Sequence, residues 1–210
     1  MRILKEGIIL ALPLMMMGIY FLFGSPIKAL VSFGIGGFIL YFYRDPDRSV
    51  CFIEGALLSP ADGTVVQIER RADGSKGICQ GVKVSIFLSL FDAHVNRSPI
   101  GCQLDTKHYY RGKFLPAFLS KAGLRNEKMD YNLIDKNGRA LVVTQIAGFI
   151  ARRIVSFVND GERVKQGQKI GFIRFGSRVE MIIPNSYRLQ VKEGQKVRAG
   201  ESVVAIYKDT

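Results

Sequence analysis

Near its C-terminus the chain repeats itself. Val158-Asn159-Asp160-Gly161-Glu162-Arg163-Val164-Lys165-Gln166-Gly167-Gln168-Lys169-Ile170 matches Val191-Lys192-Glu193-Gly194-Gln195-Lys196-Val197-Arg198-Ala199-Gly200-Glu201-Ser202-Val203. The shared pattern is Val-x-x-Gly-x-x-Val-x-x-Gly-x-x-(Ile/Val), with Ile173 or Ile206 three places on. Glycines at fixed offsets permit tight turns and positive φ, and the apolar residues between them form short strand cores. The rest of the C-terminal part also reads as β. Gly63–Glu69 follows a Ser59-Pro60-Ala61-Asp62-Gly63 turn, Gly81–Leu90 carries the β-branched Val82, Val84 and Ile86, and Ala140–Ile150 is similar. Leu115–Gly123 lacks strict alternation and reads as a short helix; no long helix is expected after Tyr43.

This repeat resembles the barrel-sandwich hybrid of biotinyl and lipoyl carrier domains, and Asp62-Gly63-Thr64-Val65-Val66 resembles the strand that opens such a unit. The expected fold class is therefore mainly β (α+β): a barrel-sandwich-hybrid-like β domain preceded by an N-terminal membrane helical hairpin. Fold does not fix function. A membrane-anchored carrier or adaptor without enzymatic activity is the alternative from another class. A carrier presents its lysine in an Asp-Lys-Ala or Met-Lys-Met context, which is absent, and an adaptor of this fold inserts a long heptad hairpin, which is also absent.

The N-terminal region is of a different kind. Ile8–Phe23 and Ala29–Tyr43 carry no charge. Each would make a helix of roughly 24 Å, slightly short of a hydrocarbon core of about 30 Å. They read as a membrane hairpin, spanning or dipping, rather than a cleaved signal peptide, because a second apolar run follows almost at once without a small-residue cleavage pattern. Arg2 and Lys5 precede the first run, Arg44 and Arg48 follow the second, and only Lys28 lies between them. Positive residues favour the cytoplasmic side, which predicts an inner-membrane protein with its large C-terminal part on the cytoplasmic face. The expected division is 1–43 hairpin, 44–58 interfacial linker and 59–210 β domain, Pro46 disfavouring helix at Asp45. Lys and Arg total 30 against 18 Asp and Glu, a net charge of +12. That surplus suits an anionic partner. Charge alone does not separate nucleic acid, a phospholipid membrane or a merely solvated basic surface; the apolar runs favour the phospholipid membrane, and no nucleic-acid-binding motif is evident. The cysteines Cys51, Cys79 and Cys102 have no metal-ligand spacing, and an odd, scattered set suits a reducing compartment.

Three places carry chemistry. His94 lies in Phe91-Asp92-Ala93-His94-Val95-Asn96-Arg97-Ser98-Pro99, at the end of a strand among polar residues, where an acid–base group is useful. His108, in Lys107-His108-Tyr109-Tyr110, reads as a surface strand residue. Asp62 sits in a Pro-Ala-Asp-Gly turn, whose ordinary role is an Asx turn. Gly176-Ser177 follows one repeat unit directly and has strand-like residues on both sides, and a glycine there permits an unusual backbone next to the serine hydroxyl.

In order and with sensible spacing, five stretches resemble the phosphatidylserine decarboxylase family. They are Phe42-Tyr43-Arg44-Asp45-Pro46-Asp47-Arg48, Ser59-Pro60-Ala61-Asp62-Gly63, Phe91-Asp92-Ala93-His94-Val95-Asn96-Arg97, Gln145-Ile146-Ala147-Gly148-Phe149-Ile150-Ala151-Arg152-Arg153 and Phe175-Gly176-Ser177-Arg178, with Arg125-Asn126-Glu127 a weaker sixth. The short length and Gly-Ser-Arg form resemble the small bacterial and archaeal branch; larger members carry Leu-Gly-Ser-Thr and a second histidine near the first. The resemblance implies autocatalytic serinolysis between Gly176 and Ser177, with Ser177 as nucleophile, His94 as base and Asp62 orienting it. It implies a pyruvoyl cofactor made from Ser177, with neither pyridoxal phosphate nor metal. It also implies associated β (1–176) and α (177–210) chains and phosphatidylserine as substrate, and leaves a homodimer open.

Overall fold

The structure, a computed structural model, describes residues 1–50, 52–71, 81–112, 126–148, 153–174 and 177–208. It divides into two compact units, Met1–Asp47 and Arg48–Thr210. The helices are α1 (Lys5–Phe21) and α2 (Pro26–Phe42). The strands run β1 (Arg2–Ile3), β2 (Arg44–Asp45), β3 (Ala56–Leu58), β4 (Gly63–Arg71), β5 (Gly81–Leu88), β6 (Val95–Arg97), β7 (Cys102–Tyr110) and β8 (Lys128–Asp135). They continue as β9 (Ala140–Ala147), β10 (Ile154–Ser156), β11 (Arg163–Val164), β12 (Lys169–Ile173), β13 (Ser177–Pro184), β14 (Tyr187–Leu189), β15 (Lys196–Val197) and β16 (Val203–Tyr207). The short helix expected at Leu115–Gly123 lies outside the described residues, as do Cys51 and Cys79. His108 is an exposed residue of β7, as expected.

The first unit is a helical hairpin turned inside out relative to a soluble one. Its buried positions are small: Gly7, Ala11 and Gly18 on α1, and Ala29, Ser32 and Gly36 on α2, with Phe42 at the end. A Cβ on Gly7 would collide with Tyr43 Cβ, and one on Gly18 would lie 2.8 Å from the Phe33 ring, so the close approach depends on the missing side chains. The large apolar residues Ile9, Leu12, Met16, Ile19, Leu30 and Val31 face outwards. Pairing of Arg2 with Asp45 and Ile3 with Arg44 closes the open end, so both chain ends of the hairpin lie together. Each helix has 17 residues, and among the described residues no helix is long and apolar enough to cross a membrane.

The second unit is mainly β. Its central sheet has the order β11-β7-β8-β9-β13-β5-β4-β15, and three-stranded sheets β10-β12-β6 and β14-β16-β3 accompany it. The described strands form open sheets, with no closed barrel among them. The repeat is real in space. Gly161, Gly167, Gly194 and Gly200 have φ of 79°, 76°, 82° and 73°, so each unit uses its glycines for the same two left-handed turns. Its first strands, β11 and β15, become the two edges of the central sheet, and its second strands, β12 and β16, enter the separate small sheets. The duplication extends further than the sequence pattern. Gly194 N–H donates to the Val65 carbonyl and Gly161 N–H to that of Leu104; Gly200 N–H donates to Ser59 and Gly167 N–H to Ser98. Beside Val65 and Leu104, β4 and β7 carry matching register shifts. One face of the central sheet, bearing Val84, Ile86, Val143, Val179 and Met181, forms the core.

Candidate active site

Alternation along β13 decides where Ser177 points. Val179, Met181 and Ile183 are core residues, so Ser177, two places earlier, faces the same side. It is paired with Ala147 of β9 on one side and Leu88 of β5 on the other. It is 0% exposed, and among the described residues its Oγ has no hydrogen-bond partner. A buried orphan hydroxyl costs about 1–3 kcal/mol and calls for an explanation. The preceding Gly176 lies outside the described residues. The next residue anchors the strand on its other face. Arg178 is 2% exposed and gives Nη2 to Gln67 Oε1 at 2.9 Å and Ser85 Oγ at 2.8 Å, while Nε meets Glu180 at 3.1 Å. The start of β13 is thus tied to β4 and β5. On its β9 side, Ala147 gives its carbonyl to Asn126 Nδ2 and its N–H to the Glu127 carbonyl.

His94 is 0% exposed and stands where the chain turns from β5 into β6. That turn is closed by Asp92, whose N–H donates to the Ser89 carbonyl and whose carboxylate accepts from Ser89 N–H at 2.8 Å and Oγ–H at 2.6 Å. The Asp92 carbonyl lies 2.9 Å from His94 Nδ1. A carbonyl only accepts, so Nδ1 carries the proton and the neutral ring has its basic lone pair on Nε2. The ring meets Phe172 edge-on, with centroids 6.5 Å apart. His94 also gives its carbonyl to Ile173 N–H. Ile173 is four residues before Ser177, which limits the separation along the chain to ~14 Å.

Asp62 is held by other groups. Its Oδ2 accepts from Arg48 Nη2 at 2.5 Å and its Oδ1 from the Ala199 N–H at 2.7 Å. Arg48 also reaches Glu201 at 3.4 Å. The Arg48 and Asp62 side chains are only 9% and 14% exposed, so this pair is partly desolvated. Arg48, counted above as a basic flank of the hairpin, therefore also serves Asp62. The turn bearing Asp62 is braced against the strand that follows His94, through Arg97 N–H to the Pro60 carbonyl. The structure thus gathers the Asp62 turn, the His94 strand and the Ser177 strand at one end of the sheet. The Asp92 carbonyl holds the imidazole at Nδ1, and Arg48 and Ala199 hold the Asp62 carboxylate.

A buried polar chain runs beside these groups. Tyr131 O–H donates to Gln145 Oε1 at 2.8 Å, and Gln145 Nε2 donates to Asn96 Oδ1 at 2.6 Å. Burial pushes the Tyr131 phenol up to about 12, so it remains a neutral donor. Asp92, Asn96, Gln145 and Arg178 lie within quoted stretches of sequence that gave them no role. Gln145 had a signal: it takes a place on β9 where alternation with Leu141, Val143 and Ala147 calls for an apolar residue. Among the described residues no group of three His, Cys, Asp or Glu side chains could hold a metal ion.

Residues 35–205 match the family model for phosphatidylserine decarboxylase. The chain belongs to the phosphatidylserine decarboxylase family. Curated relatives extend the match. The phosphatidylserine decarboxylase proenzyme of Nitrosomonas eutropha is 41% identical over 170 residues, covering 81% of this chain and 78% of the relative. That of Carboxydothermus hydrogenoformans is 42% identical over 184 residues, covering 84% and 86%. A Methanosarcina acetivorans protein named a putative archaetidylserine decarboxylase proenzyme is 43% identical over 172 residues, covering 82% and 76%. The phosphatidylserine decarboxylase match begins within α2 and includes Arg48, Asp62, His94 and Ser177.

Proposed function

We propose that the chain is a proenzyme that cuts its own backbone between Gly176 and Ser177. The pyruvoyl group left on residue 177 then serves the decarboxylation of phosphatidylserine to phosphatidylethanolamine. The observation that carries this reading is the buried Ser177 hydroxyl, orphaned among the described residues, on a strand end four residues beyond Ile173, whose N–H bonds to the carbonyl of His94, a histidine whose proton is fixed on Nδ1. In the first step Ser177 Oγ attacks the Gly176 carbonyl carbon. His94 Nε2 takes the hydroxyl proton and returns it to the Ser177 nitrogen as the C–N bond breaks, leaving an ester. Loss of the Ser177 α-proton expels the Gly176 carboxylate and leaves dehydroalanine. Addition of water and departure of ammonia then place a ketone where the serine α-carbon was. Asp92 sets the orientation of the imidazole, and the Asp62 carboxylate supports its charged form.

The site fits that group. The Ser177 side chain lies against Ala147 and Leu88, and loss of its hydroxyl strands no donor or acceptor among the described residues. A pyruvoyl group at residue 177 would supply the electron sink for loss of carbon dioxide, the role pyridoxal phosphate plays in other enzymes. His94 then delivers a proton to the substrate α-carbon. The fragment beginning at residue 177 stays in place because β13 is paired on both sides.

The hairpin supports a membrane location. Small residues inside and large apolar residues outside suit lipid rather than water, and the β1–β2 pairing sets both ends of the hairpin on one side. That arrangement, with no helix among the described residues long and apolar enough to cross, favours a hairpin that dips into the inner membrane with the β unit on its cytoplasmic face. A single experiment tests site and location together. Membranes containing the full chain are washed in 1 M salt, where the screening length is only about 3 Å, and assayed with phosphatidylserine and with its ether-linked archaetidyl counterpart. Decarboxylation is expected to stay with the washed pellet, to need no added pyridoxal phosphate or metal, and to be abolished by hydroxylamine, which traps ketones. Activity that is released by salt, or that survives hydroxylamine, contradicts the reading.

A further inference from the structure

The self-cleavage step creates a negative charge on the Gly176 carbonyl oxygen, and a buried donor should be waiting for it. We propose that this donor is the Asn96 side-chain amide, held in place by Gln145 and Tyr131. The inference rests on the self-cleavage reading above and adds a catalytic residue to it.

Asn96 is 0% exposed. Its Oδ1 is taken by Gln145 Nε2, and its Nδ2 has no partner among the described residues. The orientation is set by the chain behind it. Tyr131 donates to Gln145 Oε1, which turns Gln145 Nε2 towards Asn96, which in turn leaves the Asn96 N–H groups as the free end. A buried amide donor left without an acceptor costs about 1–3 kcal/mol, and native structures keep few such groups without a reason.

Its position follows from strand register. Gln145 is paired with Val179, and Ala147 with Ser177, so the direction from Gln145 to Ala147 is the direction towards Ser177 on the same sheet face. Asn96 reaches Gln145 from the facing small sheet, where it pairs with Gly171 of β12. A Cβ on Gly171 would lie 2.8 Å from Gln145 Nε2, so the two layers are in direct contact at this point. Moving along β6 from Asn96 to His94 runs beside β12 from Gly171 to Ile173, which leads on to Ser177. Base, nucleophile and unused donor therefore converge from two facing layers. Arg178 is excluded as this donor by alternation, because it points to the opposite face, where it is hydrogen-bonded to Gln67 and Ser85 and ion-paired with Glu180.

The test follows cleavage itself, in a pulse–chase of the full chain made by cell-free translation with lipid, and needs no decarboxylase assay. Asn96→Asp keeps the oxygen that Gln145 needs and replaces the donor with an acceptor. It is expected to slow cleavage about 100-fold or more, with a thermal midpoint close to that of the parent and no build-up of hydroxylamine-labile ester. Gln145→Glu acts at one remove: Asn96 must turn its amide to donate to residue 145, withdrawing the donor from the site, and a similar slowing is expected. If Asn96→Asp fails to fold, Gln145→Glu decides by the same criteria. Cleavage by the folded variant within about threefold of the parent rate overturns the assignment, as does accumulation of the ester, which would place the defect after the oxyanion has collapsed. A parent chain that does not cut at all instead overturns the self-cleavage reading on which the inference stands.

Discussion

Ser177→Ala is expected to remain a single uncut chain of 210 residues and to have no decarboxylase activity. Both losses are complete, because the same oxygen is the nucleophile and the same residue supplies the ketone. The structure separates this outcome from simple misfolding. The Ser177 hydroxyl is buried and makes no hydrogen bond to the described residues, so alanine removes a desolvation cost without stranding a partner. Stability should be unchanged or raised by up to about 1 kcal/mol. Denaturing mass spectrometry and a thermal melt check both halves of the expectation. A Ser177→Ala protein cut at the same bond would show that Ser177 is not the nucleophile.

His94→Ala is expected to slow self-cleavage by about 10²–10⁴-fold, the usual contribution of a positioned general base. The ring sits on a short, heavily bonded turn, in which Asp92 serves Ser89 with its side chain and His94 with its carbonyl. Asp92→Asn weakens the side-chain half of that arrangement while leaving the carbonyl in place, so a smaller slowing is expected. His94 also has the later task of protonating the substrate α-carbon. Loading the His94→Ala substitution onto enzyme assembled from already cut chains isolates that second role. Normal cleavage kinetics in the purified, folded His94→Ala chain would remove His94 as the base.

Much of this was legible in the residues, for identifiable reasons. The two uncharged runs are helices, α1 and α2, with ends displaced by a few residues. Gly63, Gly81 and Ala140 begin strands as the β-branched patterns indicated. The glycine repeat marked the tight turns and short strand cores, while the placement of β11 and β15 at the two edges of the central sheet comes from the structure. The matching first half of the duplication is faint in the sequence because Ser59-Pro60 and Ser98-Pro99 are nearly all that its copies share, while the hydrogen-bond pattern that relates them is made by backbone groups. The same holds at the site. Ser177, His94 and Asp62 are visible as residue types in characteristic surroundings. The group that orients His94 is a backbone carbonyl, which any residue could provide, so Asp92 could not be singled out for that role. Arg48 read as a membrane flank because charge position is all a sequence offers; its bond to Asp62 needs the turn at Ser59–Asp62 to be brought beside it. Asn96 and Gln145 become informative only when β6 and β9 are known to face each other.

Borohydride trapping with labelled lipid tests the central claim most directly. The mature protein is given phosphatidylserine labelled in the part of the headgroup that survives loss of carbon dioxide, reduced during turnover, and separated into its chains under denaturing conditions. The expected result is label attached covalently to the small fragment at residue 177, in proportion to the carbon dioxide released. Label on the 1–176 chain, or carbon dioxide release with no label on the fragment, would contradict it.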